Sequence, residues 1–123
     1  MKLHGVAKHQ DSDSVFSAAT MDQWQRDIAL IHEIGANAIR LSHYPHPTEV
    51  YDLCDKYGFV VWAEIPLLKL TENETLFANA KQQLKEMVLQ NMHHPSICFW
   101  GLQNEIAIYG EFPFMTEKMK ALN

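Results

Sequence analysis

The chain has 123 residues, 47% of them hydrophobic, which suffices for one core and is too little for two. A net charge of −5, with ten scattered Lys and Arg residues, gives no basic footprint for nucleic acid, and no apolar run approaches the ~20 residues that span a bilayer. The opening Met-Lys-Leu-His-Gly lacks a signal peptide's apolar stretch, and Cys54 and Cys98 sit inside apolar runs. Buried free thiols in a reducing compartment are therefore expected, with a cytoplasmic location first and the periplasm as the alternative.

The elements alternate between two hydrophobic periods. Residues Leu3 to Ala7 form a short apolar stretch that reads as a first strand. Thr20 has the character of a helix N-cap, with Gln23 three residues on as the reciprocal member of a capping box. From there Trp24, Ile28, Ile31 and Ile34 recur at helical spacing, and Gly35 ends the helix. Asn37 to Ser42 has the alternation and β-branching of a second strand. A second helix begins near Pro47 and buries Val50, Leu53, Cys54 and Tyr57 before Gly58 stops it.

Phe59 to Ile65 is nearly all apolar, as a strand covered on both faces of a parallel sheet requires, and Pro66 closes it. A third helix is predicted from about Glu74 to Met92, with Phe77, Ala80, Leu84, Met87 and Val88 inward. Ser96 to Leu102 reads as a fourth strand, again almost wholly apolar. Phe112 to Leu122 then begins a fourth helix, with Met115, Met119 and Leu122 on one face. The order βαβαβαβα implies a parallel sheet with right-handed crossovers and no internal domain boundary. An open doubly wound sheet and a segment of an eight-stranded barrel both fit. A full barrel takes ~250 residues, so residues 1–123 would supply about half of one.

Polar groups gather where each strand ends. The first strand runs into Lys8, His9, Gln10 and Asp11. The second carries Arg40 and ends at Ser42-His43-Tyr44-Pro45, the third ends at Glu64, and the fourth runs into Gln103-Asn104-Glu105. In parallel α/β folds these ends share one face, where ligands bind. Arg40 interrupts a strand that should be buried, so it needs a carboxylate, and Glu64 should pair with Arg40 or a histidine. His43 and His9 are candidate substrate contacts. Glu105, if desolvated, suits a general acid, and the Asn104 amide suits a substrate hydroxyl. His43 with His46, or His93 with His94, invites a zinc reading, but no suitably spaced third ligand is evident. No Gly-x-Ser-x-Gly elbow or glycine-rich phosphate loop is present.

These residues resemble a known family. Asp27-Ile28-Ala29-Leu30-Ile31, Asn37 to Pro45, Tyr51 to Gly58, the Glu64 strand, His94 to Glu105 and the opening Gly5 to Asp11 are similar, in that order, to the catalytic barrel of glycoside hydrolase family 2. The resemblance implies the first four βα units of a (β/α)8 TIM barrel and a retaining mechanism. In that mechanism two carboxylates about 5–5.5 Å apart attack the anomeric carbon and protonate the leaving oxygen. It implies that Glu105 is the acid/base, that Asn104 bonds the sugar 2-hydroxyl, that Arg40 orients the nucleophile and that His43 lines the glycone pocket.

The family's nucleophile lies on a seventh strand, and its preceding β-sandwich domains have no counterpart here, so this segment is expected to be inactive alone. Ile65-Pro66-Leu67-Leu68-Lys69-Leu70 lacks the acidic residue and histidine that hold magnesium in some galactosidases, and neither metal nor cofactor is expected. A terminal β-galactoside is the expected substrate class. A β-glucuronide is the alternative, and a non-catalytic half-barrel that binds sugar is the rival from another class. Four strands would leave two sheet edges, so self-association is expected.

Overall fold

A computed structural model of the chain describes residues 1–68 and 73–105. Its elements are β1 (Gly5–Lys8), α1 (Met21–Glu33), β2 (Ala38–Leu41), α2 (Thr48–Tyr57), β3 (Val60–Glu64), α3 (Glu74–Asn91) and β4 (Ile97–Gly101). The helix expected from Phe112 lies outside the described residues. All strands pair in parallel in the order β1-β2-β3-β4, so each lies beside its sequence neighbour. A doubly wound sheet reverses its strand order at a switch point, whereas a barrel adds each strand to the last. The observed order is that of successive βα units of a TIM barrel.

Local chemistry sets the element ends. The Thr20 N–H donates to Gln23 Oε1 at 2.9 Å, the reciprocal bond of the expected capping box. Gly58 takes a left-handed conformation (φ +72°) that a side chain would strain, and Phe59 N–H reaches back to Cys54 O at 3.0 Å, closing α2. At the start of α3, Asn73 Oδ1 accepts from Thr75 N–H at 2.8 Å and Leu76 N–H at 3.2 Å.

The core lies between the sheet and its helices. Ile39 and Leu41 of β2 and Val61 and Ala63 of β3 meet Ile28 of α1, Val50, Tyr51 and Cys54 of α2, and Phe77, Ala80 and Met87 of α3. Burying an Ile, Leu or Val of this kind contributes about 1.5–3 kcal/mol.

Three expectations need correction. Ile34 does not face inward: α1 stops at Glu33, Gly35 turns the chain at φ +82°, and Ile34 is 72% exposed. Cys98 is exposed, whereas burial pushes the Cys54 thiol up to about 12. The strands are also not covered on both faces. Gly5, Ala7, Ala38, Arg40, Trp62 and Phe99 line an open concavity of about 340 Å³ on the face away from the helices, and Trp62 and Phe99 are 43% and 46% exposed. Among the described residues that face is covered only toward the strand ends, where Arg40, His43 and Asn104 enclose Glu64.

Candidate active site

Parallel strands bring four loops to one end of the sheet, and the expected residues meet there. Glu64 ends β3 with no exposed surface. Its Oε2 accepts Arg40 Nε–H at 3.0 Å, its Oε1 accepts an Arg40 Nη2 proton at 3.1 Å, and the same Oε1 lies 2.6 Å from His43 Nδ1. The carboxylate thus receives a two-pronged guanidinium and an imidazole, which offsets the cost of burying its charge. Arg40 stands in β2 beside Trp62 of β3, its register partner, with the guanidinium carbon 5.9 Å from the ring centroid. The expectation that Arg40 and Glu64 satisfy one another holds, with His43 as a third member.

Asn104 joins the network from beyond β4. It is buried, and its Oδ1 accepts from Arg40 Nη2 at 2.8 Å. Its backbone N–H donates to Leu67 O at 2.9 Å, and Ile65 N–H donates to Gly101 O at 3.2 Å, which ties the segment after β4 to the segment after β3. With its oxygen held by Arg40, the asparagine offers its amide protons to an acceptor such as a sugar hydroxyl.

Around His43 the rings touch in series. His9 meets it edge to face at 5.0 Å between centroids, Tyr44 lies 6.1 Å from His9, and His46 stacks on Tyr44 at 5.3 Å. Tyr44 Oη accepts Gln10 N–H at 3.3 Å, which pins the end of β1 to the loop after β2. The peptide between Ser42 and His43 is cis. His46 does not act with His43 as a metal pair. It is buried, its Nε2–H donates to Ser42 O at 3.2 Å, and its own N–H donates to Tyr51 Oη at 3.1 Å. Burial lowers its pKa to about 4, so the ring is neutral.

Glu105 follows Asn104 at φ +52° and is solvent-exposed, so none of the described residues supplies the desolvation on which its suitability as a general acid depends. His9 is also exposed and reaches the network only through ring contacts.

Some contributors were missed. Lys8 is buried and paired with Asp27 of α1, its Nζ also donating to His9 O at 3.1 Å. Period-two alternation carried the signal, since Gly5 and Ala7 face the concavity and Lys8 must then face the helices. His46 and Tyr44 gave no signal beyond their nearness to His43.

At the opposite end, His94 Nδ1 contacts Asp55 Oδ2 at 2.7 Å, and Asp55 Oδ1 accepts Ser96 N–H at 2.9 Å. Asp52 lies 3.8 Å from the same nitrogen. Both Asp55 oxygens are thus committed to joining α2 to the start of β4.

Comparison with known proteins agrees with this architecture. The family described as "Glycosyl hydrolases family 2, TIM barrel domain" matches residues 1–123. A beta-glucuronidase of Bacteroides fragilis is 45% identical over an alignment spanning all of this chain and 19% of that protein. A beta-galactosidase of Thermoanaerobacter pseudethanolicus is 39% identical over 84% of this chain and 14% of its own length. The solved structure of an FMN-binding beta-glucuronidase from Facaelibacterium prausnitzii L2-6 superposes with a TM-score of 0.89 at 39% identity, over 99% of this chain and 18% of that one. The chain therefore spans about a fifth of the length of the first of these curated relatives.

Proposed function

The chain belongs to glycosyl hydrolase family 2, and from that premise we propose that it supplies the acid/base side of a retaining β-glycosidase acting on terminal β-glucuronides. The observation that carries the reading is the buried Glu64 carboxylate holding Arg40 and His43, with Arg40 in turn holding Asn104 directly before Glu105. Asn104 engages the sugar 2-hydroxyl, His43 and His9 flank the glycone, and Glu105 protonates the leaving oxygen and later deprotonates water.

The preference between substrate classes reverses the one drawn from sequence. Beta-glucuronidases stand first among the named relatives, at 45% and 41% identity, with a beta-galactosidase further down at 39%, and that supports the glucuronide over the galactoside. Glu64 is not read as the nucleophile, because its side chain is wholly enclosed, with Arg40 and His43 bound to its oxygens. The 123-residue chain by itself is therefore expected to turn over neither glycoside.

A chimera tests the reading: this chain replaces the matching segment of the Bacteroides fragilis beta-glucuronidase. The chimera should hydrolyse phenyl β-glucuronide in preference to phenyl β-galactoside. Glu105→Gln should lower kcat roughly 10²–10⁴-fold on these substrates, whose phenolate leaving group benefits from protonation. Unchanged turnover by that variant would overturn the assignment, and a preference for the galactoside would overturn the substrate class.

A further inference from the structure

Gly101 ends β4 directly opposite Glu64, its register partner in β3. The pairing of these strands shifts register between Val61 and Trp62, and a bulge of this kind re-aims the side chains that follow it. A β-carbon added at Gly101 would lie 2.2 Å from Trp62 Nε1, 2.6 Å from Glu64 Cβ and 3.1 Å from Glu64 Oε2. Among the described residues the glycines with left-handed backbone are Gly35 and Gly58, so Gly101 is needed here for space and not for its dihedrals. Gly5, also in a strand, differs: a β-carbon there would meet Ala38 at an ordinary 3.7 Å.

The two close neighbours of Gly101 are not equally able to yield. The Trp62 ring is half-exposed and can swing outward. Glu64 Cβ is fixed to the β3 backbone, and its residue is wholly enclosed. A methyl group at position 101 would therefore act on Glu64, and through it on Arg40 and His43.

We propose that Gly101 is a positioning residue: its missing side chain leaves the space in which Glu64 lies over β4 and holds Arg40 and His43 in place. Its catalytic meaning rests on the glycosidase reading, whereas the placement itself is measurable without substrate. The extra residue of the bulge, Cys98, lies in β4 and sets Gly101 opposite Glu64; the glycine admits the Glu64 side chain, and the bidentate bond to Arg40 follows from where the carboxylate then stands.

The test uses the 15N-labelled chain and the NMR signals of Arg40 Nε–H and Trp62 Nε1–H. In Gly101→Ala, strand amide signals should persist while Arg40 Nε–H exchanges with solvent roughly tenfold faster or more, having lost a charge-assisted acceptor. Gly5→Ala should leave that exchange unchanged. Combining Gly101→Ala with Trp62→Leu removes the indole contact and leaves only the clash with Glu64. Read against Trp62→Leu alone, this double variant should still show the fast exchange. Unchanged Arg40 protection in Gly101→Ala would overturn the proposal, as would its recovery in the double variant. Loss of the strand signals in both would overturn it too, since Gly101 would then be a requirement of the sheet. A failed glycosidase assay alongside the expected exchange would count against the proposed chemistry alone.

Discussion

Arg40 and Glu64 are partners of unequal exposure, and that inequality governs what a substitution at either one does. Glu64 has no contact with water, while the Arg40 side chain is about one-third exposed. Arg40→Leu leaves a buried carboxylate with His43 as its remaining partner and should cost about 3–5 kcal/mol in urea unfolding. Glu64→Gln leaves a guanidinium that still reaches water, and should cost only about 1–3 kcal/mol. The reverse order would show that Glu64 is not enclosed as described. This pair was legible in the sequence because a charge inside an apolar strand demands an opposite charge on a neighbouring strand. The role of His46 was not, because nothing in the spacing of His43 and His46 tells a ring aimed at a ligand from one turned back on its own loop. Its burial has a measurable consequence. The folded ring takes up a proton only near pH 4, whereas an unfolded histidine does so near 6.5. Below pH 6.5 the unfolded state therefore binds more protons, and stability falls as pH drops from about 6.5 to about 4. The loss attributable to His46 is about 3 kcal/mol over that window. Urea midpoints measured across this range should show the decline, and His46→Gln should flatten it.

Among the described residues, helices and strands appear where periodicity places them, and their ends follow capping chemistry. Thr20 with Gln23, and Gly58, were readable because each satisfies named backbone groups. Ile34 misled because it continues the helical spacing of Ile28 and Ile31 one residue past the point where the backbone turns. Cys98 misled because an apolar run does not say which face of a strand is covered. The link between α2 and β4 was invisible, since His94 and Ser96 meet Asp55 only after β3 and α3 have intervened. Hydrogen bonds from Ser96 and His94 outweigh the opposing effect of desolvation and lower the Asp55 pKa. A depressed carboxylate contributes stability above its unfolded pKa near 3.9, and that contribution is lost as pH falls through the lower, folded value. Asp55→Ala removes the acceptor for both partners and should cost about 1–3 kcal/mol at neutral pH, read by urea unfolding. At neutral pH amide exchange should quicken first at Ser96 and Ile97, where β4 begins. An effect spread evenly through the sheet would argue against a local clamp.

At the scale of the whole molecule, the alternation of strand and helix reveals a parallel sheet, but only the observed order β1-β2-β3-β4 separates a barrel segment from an open doubly wound sheet. Closure was not legible, because apolar strands look alike whether a second wall covers them or not. Here the uncovered face decides how the isolated chain behaves. Leu3, Trp62 and Phe99 are each more than two-fifths exposed around one concavity, and Arg40 is the charged residue lining it. Among the described residues β1 and β4 also end the sheet with unpaired backbone groups. An apolar concavity flanked by open edges favours association, since a second copy removes apolar surface from water and pairs the edges together. Sedimentation velocity over a roughly hundredfold dilution series should show a species heavier than the 14.2 kDa chain that dissociates by mass action. Phe99→Glu puts a charge in the concavity without touching the Arg40–Glu64 pair, and should shift the equilibrium to monomer while circular dichroism stays unchanged. A single monomer at every concentration would mean that this face is stable in water, and that neither the open edges nor the exposed aromatic pair drives assembly.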